Sequence, residues 1–154
     1  MKFYVYTDGA SRGNPGSSAS GYIILDSSGK IISKEVFYNG VETNNFAEYM
    51  AIVHALEKIA KVYGYENEVE LTSDSELAIK QINGLYKVKN KRLKALNQKV
   101  VELSKKFKKC SFTNARRENK YISIVDRELN KLLDRIEDSN LNDKKYTNNK
   151  QLKL

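Results

Sequence analysis

Hydrophobic and polar positions alternate with period two at the start of the chain. Phe3, Val5 and Thr7 fall on one side and Tyr4 and Tyr6 on the other, which predicts a β-strand over Lys2–Thr7. The pattern stops at Asp8–Gly16 (DGASRGNPG), where glycines and an Asn-Pro-Gly run predict a loop. Strands follow at Gly21–Leu25 and Lys30–Tyr38, joined by a tight Asp26–Gly29 turn as a hairpin. Residues 39–45 form a polar connector. Phe46–Tyr63 is apolar on most sides, so it predicts a long central helix. Glu68–Thr72 predicts a fourth strand that ends at Ser73-Asp74, and Ser75–Ile82 a short helix stopped near Gly84.

The second half changes period. Leu93, Leu96, Val100, Leu103 and Phe107 make one stripe of an amphipathic helix over Lys91–Phe107. Cys110–Ala115 predicts a fifth strand. Ser123–Ile136 predicts a closing helix with Val125, Leu129, Leu132 and Ile136 on one face. Residues 138–154 are polar and weakly patterned, which suggests a frayed tail behind one domain of residues 1–137. The order βββαβααβα predicts an α/β fold, a mixed sheet flanked by helices on both faces.

Composition narrows the chemistry. The 154 residues include one cysteine (Cys110), one histidine (His54) and one proline. An internal disulfide framework, an HExxH zinc site and Cys/His zinc fingers are thereby excluded. No apolar run approaches the roughly 18 residues of a membrane helix, and the N-terminus is no signal peptide, so the expectation is a cytoplasmic protein with no membrane partner. Any metal site must rest on Asp and Glu. The net charge of +8 is concentrated: Lys87 to Lys109 carries ten lysines and arginines against Glu102 alone. A basic element on a near-neutral body fits a polyanion binder, while a solvated lysine face for solubility accounts for it equally well.

Four acids sit where solubility does not place them. Asp8 and Asp74 each follow directly on a predicted strand, and sites collect at the carboxyl ends of strands in such sheets. Glu48 opens the central helix and shares a face with Ile52, Ala55 and Ile59, so it points at packed structure. Asp126 lies in the first turn of the predicted last helix. Singly, each has a plainer explanation. Asp8 would hold a turn, and Asn45-x-x-Glu48, Ser73-x-x-Glu76 and Ser123-x-x-Asp126 read as capping boxes. Jointly, converging carboxylates would repel and raise one another's pKa values, a strain that a hard divalent cation relieves. Beside a basic helix, such a site implies phosphodiester chemistry.

The segment GASRGNPG lacks the Gly-Lys-Ser/Thr ending of a nucleotide-binding loop. Its small residues would instead let a large ligand approach near Asp8. Asn14 and the run Thr43-Asn44-Asn45 offer neutral donors and acceptors for phosphates, sugar hydroxyls and base edges, or serve ordinary turns.

These stretches resemble the type 1 ribonucleases H, which cut RNA in RNA–DNA hybrids. The matching residues are Tyr6-Thr7-Asp8-Gly9-Ala10-Ser11, Asn14-Pro15-Gly16, Thr43-Asn44-Asn45-Phe46-Ala47-Glu48, Leu71-Thr72-Ser73-Asp74-Ser75, Tyr86-Lys87-Val88-Lys89-Asn90, and Arg117-Glu118-Asn119 with Val125-Asp126. They span Met1 to Ile136. The resemblance implies a ribonuclease H-like five-stranded mixed sheet and a metal-dependent endonuclease of the hybrid's RNA strand, with 5′-phosphate and 3′-hydroxyl products.

It also implies Asp8, Glu48, Asp74 and Asp126 as catalytic, metal-holding acids, with Glu128 the alternative for the fourth. Two Mg²⁺ ions, or Mn²⁺ in their place, would be held with Asp8 bridging. Asp126 would serve the ion that activates water, and Glu48 and Asp74 the ion at the leaving 3′ oxygen. Gly9, Ser11, Asn14, Thr43, Asn44, Asn45, Lys87, Lys89 and Lys91 would meet the hybrid, with a monomer as the expected state. Many relatives carry a loop histidine before the last aspartate that aids product release. Here the only histidine, His54, lies deep in the central helix and reads as structural, so Arg116 or Arg117 is the candidate stand-in. RNA–RNA duplexes remain open as further substrates. A non-catalytic hybrid- or duplex-RNA-binding module on the same fold is the alternative function.

Overall fold

The computed structural model describes residues 1–116 and 118–152, the side chains of 141–152 excepted. Five strands, β1 (Lys2–Gly13), β2 (Gly16–Leu25), β3 (Ile31–Glu42), β4 (Glu68–Ser73) and β5 (Lys109–Asn114), form one mixed sheet. Its order is β3-β2-β1-β4-β5. The first three strands pair antiparallel, and β4 and β5 extend the sheet in parallel beyond β1. The helices are α1 (Asn44–Tyr63), α2 (Glu76–Ile82), α3 (Lys91–Lys106) and α4 (Lys120–Leu152).

Strand alternation sorts two cores, one on each sheet face. Phe3, Val5, Val69 and Leu71 pack with Tyr49, Ile52, Leu56 and Ile59 of α1, Ile79 of α2, and Leu93 and Val100 of α3. Tyr4, Tyr6, Ile23 and Leu25 pack with Val125, Leu129 and Leu133 of α4. The predicted α3 stripe is observed: Leu93, Val100 and Phe107 are buried, and Leu96 and Leu103 pack against them.

Three expectations are corrected. DGASRGNPG is no loop: β1 runs on through Gly13, and Asp8 pairs with Gly21, Ala10 with Ala19 and Ser11 with Ser18. Asp8 therefore sits within a strand, one residue past Thr7↔Ser73, the last register pair with β4. Secondly, the three supposed capping boxes do not cap. The N-cap side chains are Thr43 for α1, Ser75 for α2 and Asn119 for α4, whose Oδ1 accepts from the backbone N–H of Tyr121 and Ile122. Thirdly, with its start at Lys120, α4 buries Ile122, Val125, Leu129 and Leu133. Leu132 and Ile136 are only partly covered, and the helix continues past Ile136.

Two glycines seat the helices around Asp8. A Cβ on Gly9 would stand 2.4 Å from the Ala47 carbonyl carbon, so only glycine lets the first turn of α1 lie on β1 there. Ser20, paired with Gly9, fixes that turn by donating its hydroxyl to the Ala47 carbonyl at 2.5 Å. A Cβ on Gly21 would stand 2.9 Å from Val125 Cγ1, so Gly21 admits α4 at the level of Asp8.

Candidate active site

Asp8 from β1, Glu48 from α1 and Asp74 just after β4 each bring a carboxylate oxygen to within 4.8 Å of the others. Parallel pairing explains the convergence. β4 stops at Ser73, opposite Thr7, so the residues that follow open at the level of Asp8. Glu48 comes down from α1 because the helix rests on Gly9. Its Oε1 accepts the Gly9 backbone N–H at 3.0 Å and its Oε2 the Ser73 hydroxyl at 3.3 Å. The acids and Gly9, Ala10, Asn44 and Ser75 line a hollow of about 170 Å³.

Electrostatics at this spot are unfavourable in the bare protein. Asp8 and Glu48 are each only 4% exposed. Burial, then the charge of Glu48, then those of Asp74 and Asp126, push the Asp8 pKa far above the usual carboxylate range. Burial and Asp74 also raise Glu48, against the Gly9 N–H, Asp8 and the Ser73 hydroxyl, which favour its charged form. Crowded together and buried, both carboxylates are driven toward the protonated form. Among the described residues no cysteine or histidine joins this cluster. An all-oxygen carboxylate set suits a hard divalent cation such as Mg²⁺ or Mn²⁺ and discriminates against softer metals.

Asp126 is partly buried in the second turn of α4 and is near enough to add to the Asp8 shift. It lies outside the tight group of three. Glu128, the alternative fourth acid, pairs instead with Lys131 at 3.8 Å.

The polar residues proposed from sequence form one ridge beside the acids. Asn44 Oδ1 accepts from Ser11 N at 3.1 Å, and Asn14 Oδ1 from Asn44 N at 3.1 Å. The Ser11 hydroxyl donates to the Glu42 carbonyl, and Thr43 Oγ1 caps α1 by accepting from Phe46 N. Asn45 is half-buried beside them. Gly9 serves to seat α1 and bind Glu48, where sequence reading assigned it an opening for ligand. Lys87, Lys89 and Lys91 are exposed before and at the start of α3. The Arg92 guanidinium grips Glu42 through two bonds of 2.9 and 3.0 Å and lies 4.5 Å over the Phe46 ring. Arg116 is exposed after β5, and Arg117 lies outside the described residues. His54 is exposed, not enclosed, and stacks on Phe37 at 4.1 Å on α1's outer side.

Sequence reading missed the part played by Ser73. Its signal was available: Val69, Leu71 and Ser73 share the buried side of β4, and a polar residue on an apolar face demands a partner. Arg92 carried no comparable signal, being one cation among ten.

Comparison with known proteins agrees with this architecture. The reverse transcriptase-like family matches residues 6–123. The chain is 36% identical over 116 residues to ribonuclease HI of Halobacterium salinarum, a stretch that covers 75% of this chain and 57% of that protein. The solved RNase H1 structure from this archaeon superposes with a TM-score of 0.75 at 34% identity, covering 81% of this chain and 94% of that one. The chain belongs to the type 1 ribonuclease H family. A second solved family member, LC11-RNase H1 isolated from compost by a metagenomic approach, gives a TM-score of 0.80 at 35% identity over 88% of this chain and 97% of its own. The same LC11 enzyme in complex with an RNA/DNA hybrid gives 0.74 at 34% identity, covering 85% and 99%. The chain spans only 57% of the Halobacterium ribonuclease HI, so the family is shared over the ribonuclease H unit. Among the described residues no helix is long and apolar enough to cross a membrane.

Proposed function

We propose that this chain is an endonuclease that hydrolyses the RNA strand of RNA–DNA hybrids at the Asp8–Glu48–Asp74 hollow, with Asp126 as the fourth acid. The observation that carries the reading is the convergence of carboxylates from three separate elements into one largely buried cluster. A module that only bound nucleic acid would gain nothing from gathering negative charge where phosphates must approach. Family membership and the hybrid complex of LC11-RNase H1 support the substrate class.

The four acids would hold two Mg²⁺ ions, or Mn²⁺, once substrate is in place. The ions supply Lewis-acid stabilisation of the charge that builds on the phosphate oxygens. The protein's own groups prepare the site. Gly9 N–H and the Ser73 hydroxyl each take one oxygen of Glu48, which fixes the plane of its carboxylate. Because crowding drives Asp8 and Glu48 toward the protonated form, cation binding here would be coupled to proton release. Asn14 and Asn44 use their carbonyl oxygens on backbone N–H groups, so their amide nitrogens are what they offer a sugar hydroxyl or phosphate. Lys87, Lys89 and Lys91 draw in the backbone of the duplex. Water attacks phosphorus in line with the 3′ oxygen, which leaves and takes a proton, giving 5′-phosphate and 3′-hydroxyl ends.

The test is incubation with Mg²⁺ or Mn²⁺ on labelled RNA–DNA, RNA–RNA and DNA–DNA duplexes, for the parent and for Asp8→Asn. The expected result is internal cutting of the RNA in the hybrid, slowed at least about a hundredfold in the variant while binding persists. Cleavage that survives excess chelator, or a fully active variant, overturns the mechanism. Loss of the RNA–RNA duplex as well would widen the substrate class.

A further inference from the structure

Asp126 is held by a neighbour that no part of the proposed chemistry uses. Asn130, one helical turn on, donates its side-chain N–H to Asp126 Oδ1 at 3.2 Å and to the Asp126 carbonyl at 2.9 Å. The carbonyl end of the same amide, Asn130 Oδ1, accepts from Arg12 Nη2 at 3.2 Å, and so does the Asn130 backbone carbonyl. Arg12 reaches across from the β1–β2 hairpin and is itself clamped by Asp134 at 2.7 Å and Glu137 at 3.0 Å. The Arg12 side chain is partly covered, at 28% exposure, while both acids lie open to solvent.

An amide can present either end. Between a guanidinium and a carboxylate, only one orientation avoids a clash of like partners. Turned over, Asn130 would set its N–H₂ against Arg12 and its oxygen against both the Oδ1 and the carbonyl oxygen of Asp126, losing all three of its side-chain bonds and putting like against like at each. Arg12 therefore dictates that Asn130 donates toward Asp126. We propose that Asn130 is a positioning residue for Asp126, and that Arg12 acts through it by locking the amide in the donating orientation. This rests on the reading of Asp126 as the fourth acid. It gives the Asp126 carboxylate a defined rotamer on a rigid helix, tied to the strand pair that carries Asp8. Supporting groups of this kind typically contribute 10–100-fold in metal affinity or activity.

The test combines Asn130→Ala, Arg12→Gln and the double variant, with Asp126→Asn as the reference for the reading itself. Hybrid cleavage is measured against Mg²⁺ concentration, and melting temperature is measured without metal. In metal-free ¹⁵N-labelled protein, the Asn130 side-chain amide signals report its orientation. Asn130→Ala is expected to lower kcat and raise the half-saturating Mg²⁺ concentration, each about tenfold, with KM for hybrid unchanged. Arg12→Gln is expected to do the same more weakly and to shift the Asn130 amide signals. The double variant is expected to be no slower than Asn130→Ala, because Arg12 has nothing left to act through. Additive losses, or an unchanged Mg²⁺ requirement with only a lower melting temperature, would make these residues structural staples and overturn the proposal. An Asp126→Asn variant as active as the parent would overturn the reading beneath it, and the positioning role with it.

Discussion

Replacing Asp8 by asparagine is expected to stabilise the metal-free protein while destroying its activity. Asp8 is 4% exposed, and its folded pKa is raised, first by burial and then by Glu48, Asp74 and Asp126. In the unfolded chain its pKa returns to 3.8. Folding at pH 7 therefore obliges Asp8 to take up a proton. At about 1.4 kcal/mol per pH unit, that uptake costs at most about 4 kcal/mol, and partial ionisation and water entry bring the expected figure to about 2–4 kcal/mol. This is a large share of the 5–15 kcal/mol typical of a whole domain. Asparagine needs no proton and keeps an N–H to donate toward Glu48.

The sign follows from linkage. The folded state binds more protons than the unfolded state, so metal-free parent protein loses stability as pH rises from about 4 toward the raised folded value. The variant lacks this contribution. Urea denaturation in chelator should show the variant about 2–4 kcal/mol more stable at pH 7 and nearly equal at pH 4. Adding Mg²⁺ should close or reverse this gap, since it would stabilise the parent more than the variant, by about 3 kcal/mol at a hundredfold excess over Kd. A variant no more stable than the parent at pH 7 without metal, or a gap that does not close by pH 4, would refute the claim that the empty cluster is strained.

Gly9→Ala should destabilise the fold by about 3 kcal/mol, since its methyl group would enter the backbone of Ala47 at 2.4 Å; urea midpoints check this. Changing Lys87, Lys89 and Lys91 together to glutamine should raise KM for hybrid about tenfold near physiological salt and flatten its salt dependence, with kcat held. An unchanged slope would make these lysines mere solvated surface. Arg116→Gln should slow multiple-turnover cleavage a few-fold and leave a single turnover unaltered, the pattern of delayed product release. Ending the chain after Asn140, which retains the Arg12 partners Asp134 and Glu137, should leave hybrid cleavage within about twofold.

The elements with strong periodicity were legible in the sequence. The Leu93–Phe107 stripe and the alternation of Phe3 and Val5 with Tyr4 and Tyr6 correspond to observed packing, and Asp74 was correctly set just past its strand. Residues 8–16 were not legible, because glycine, serine and alanine carry little β-propensity. What makes them strand is tertiary: the pairing with β2 and the helices that rest upon them. The capping boxes weighed as plainer roles for the acids rest on spacing applied too locally. Asn45, Ser73 and Ser123 fit a capping spacing, but Thr43, Ser75 and Asn119 hold the caps. For Glu48 the alternative fails because its carboxylate is taken by the Gly9 N–H and the Ser73 hydroxyl. The α4 stripe was off by a register because Leu132 and Leu133 are adjacent, and the seat of Val125 against Gly21 decides between them.

The two-pronged grip of Arg92 on Glu42 bears on how a duplex is gauged. It pins the root of α3, where the lysines begin, to the root of α1, beside the amide ridge and the acids. Under the proposed function, this tie would set the span between the lysines and the amide ridge. A stiff double helix must bring its own strand-to-strand breadth to match that span. Breadth differs among hybrid, RNA and DNA duplexes, so under the proposed function that span would discriminate among them before any base is read.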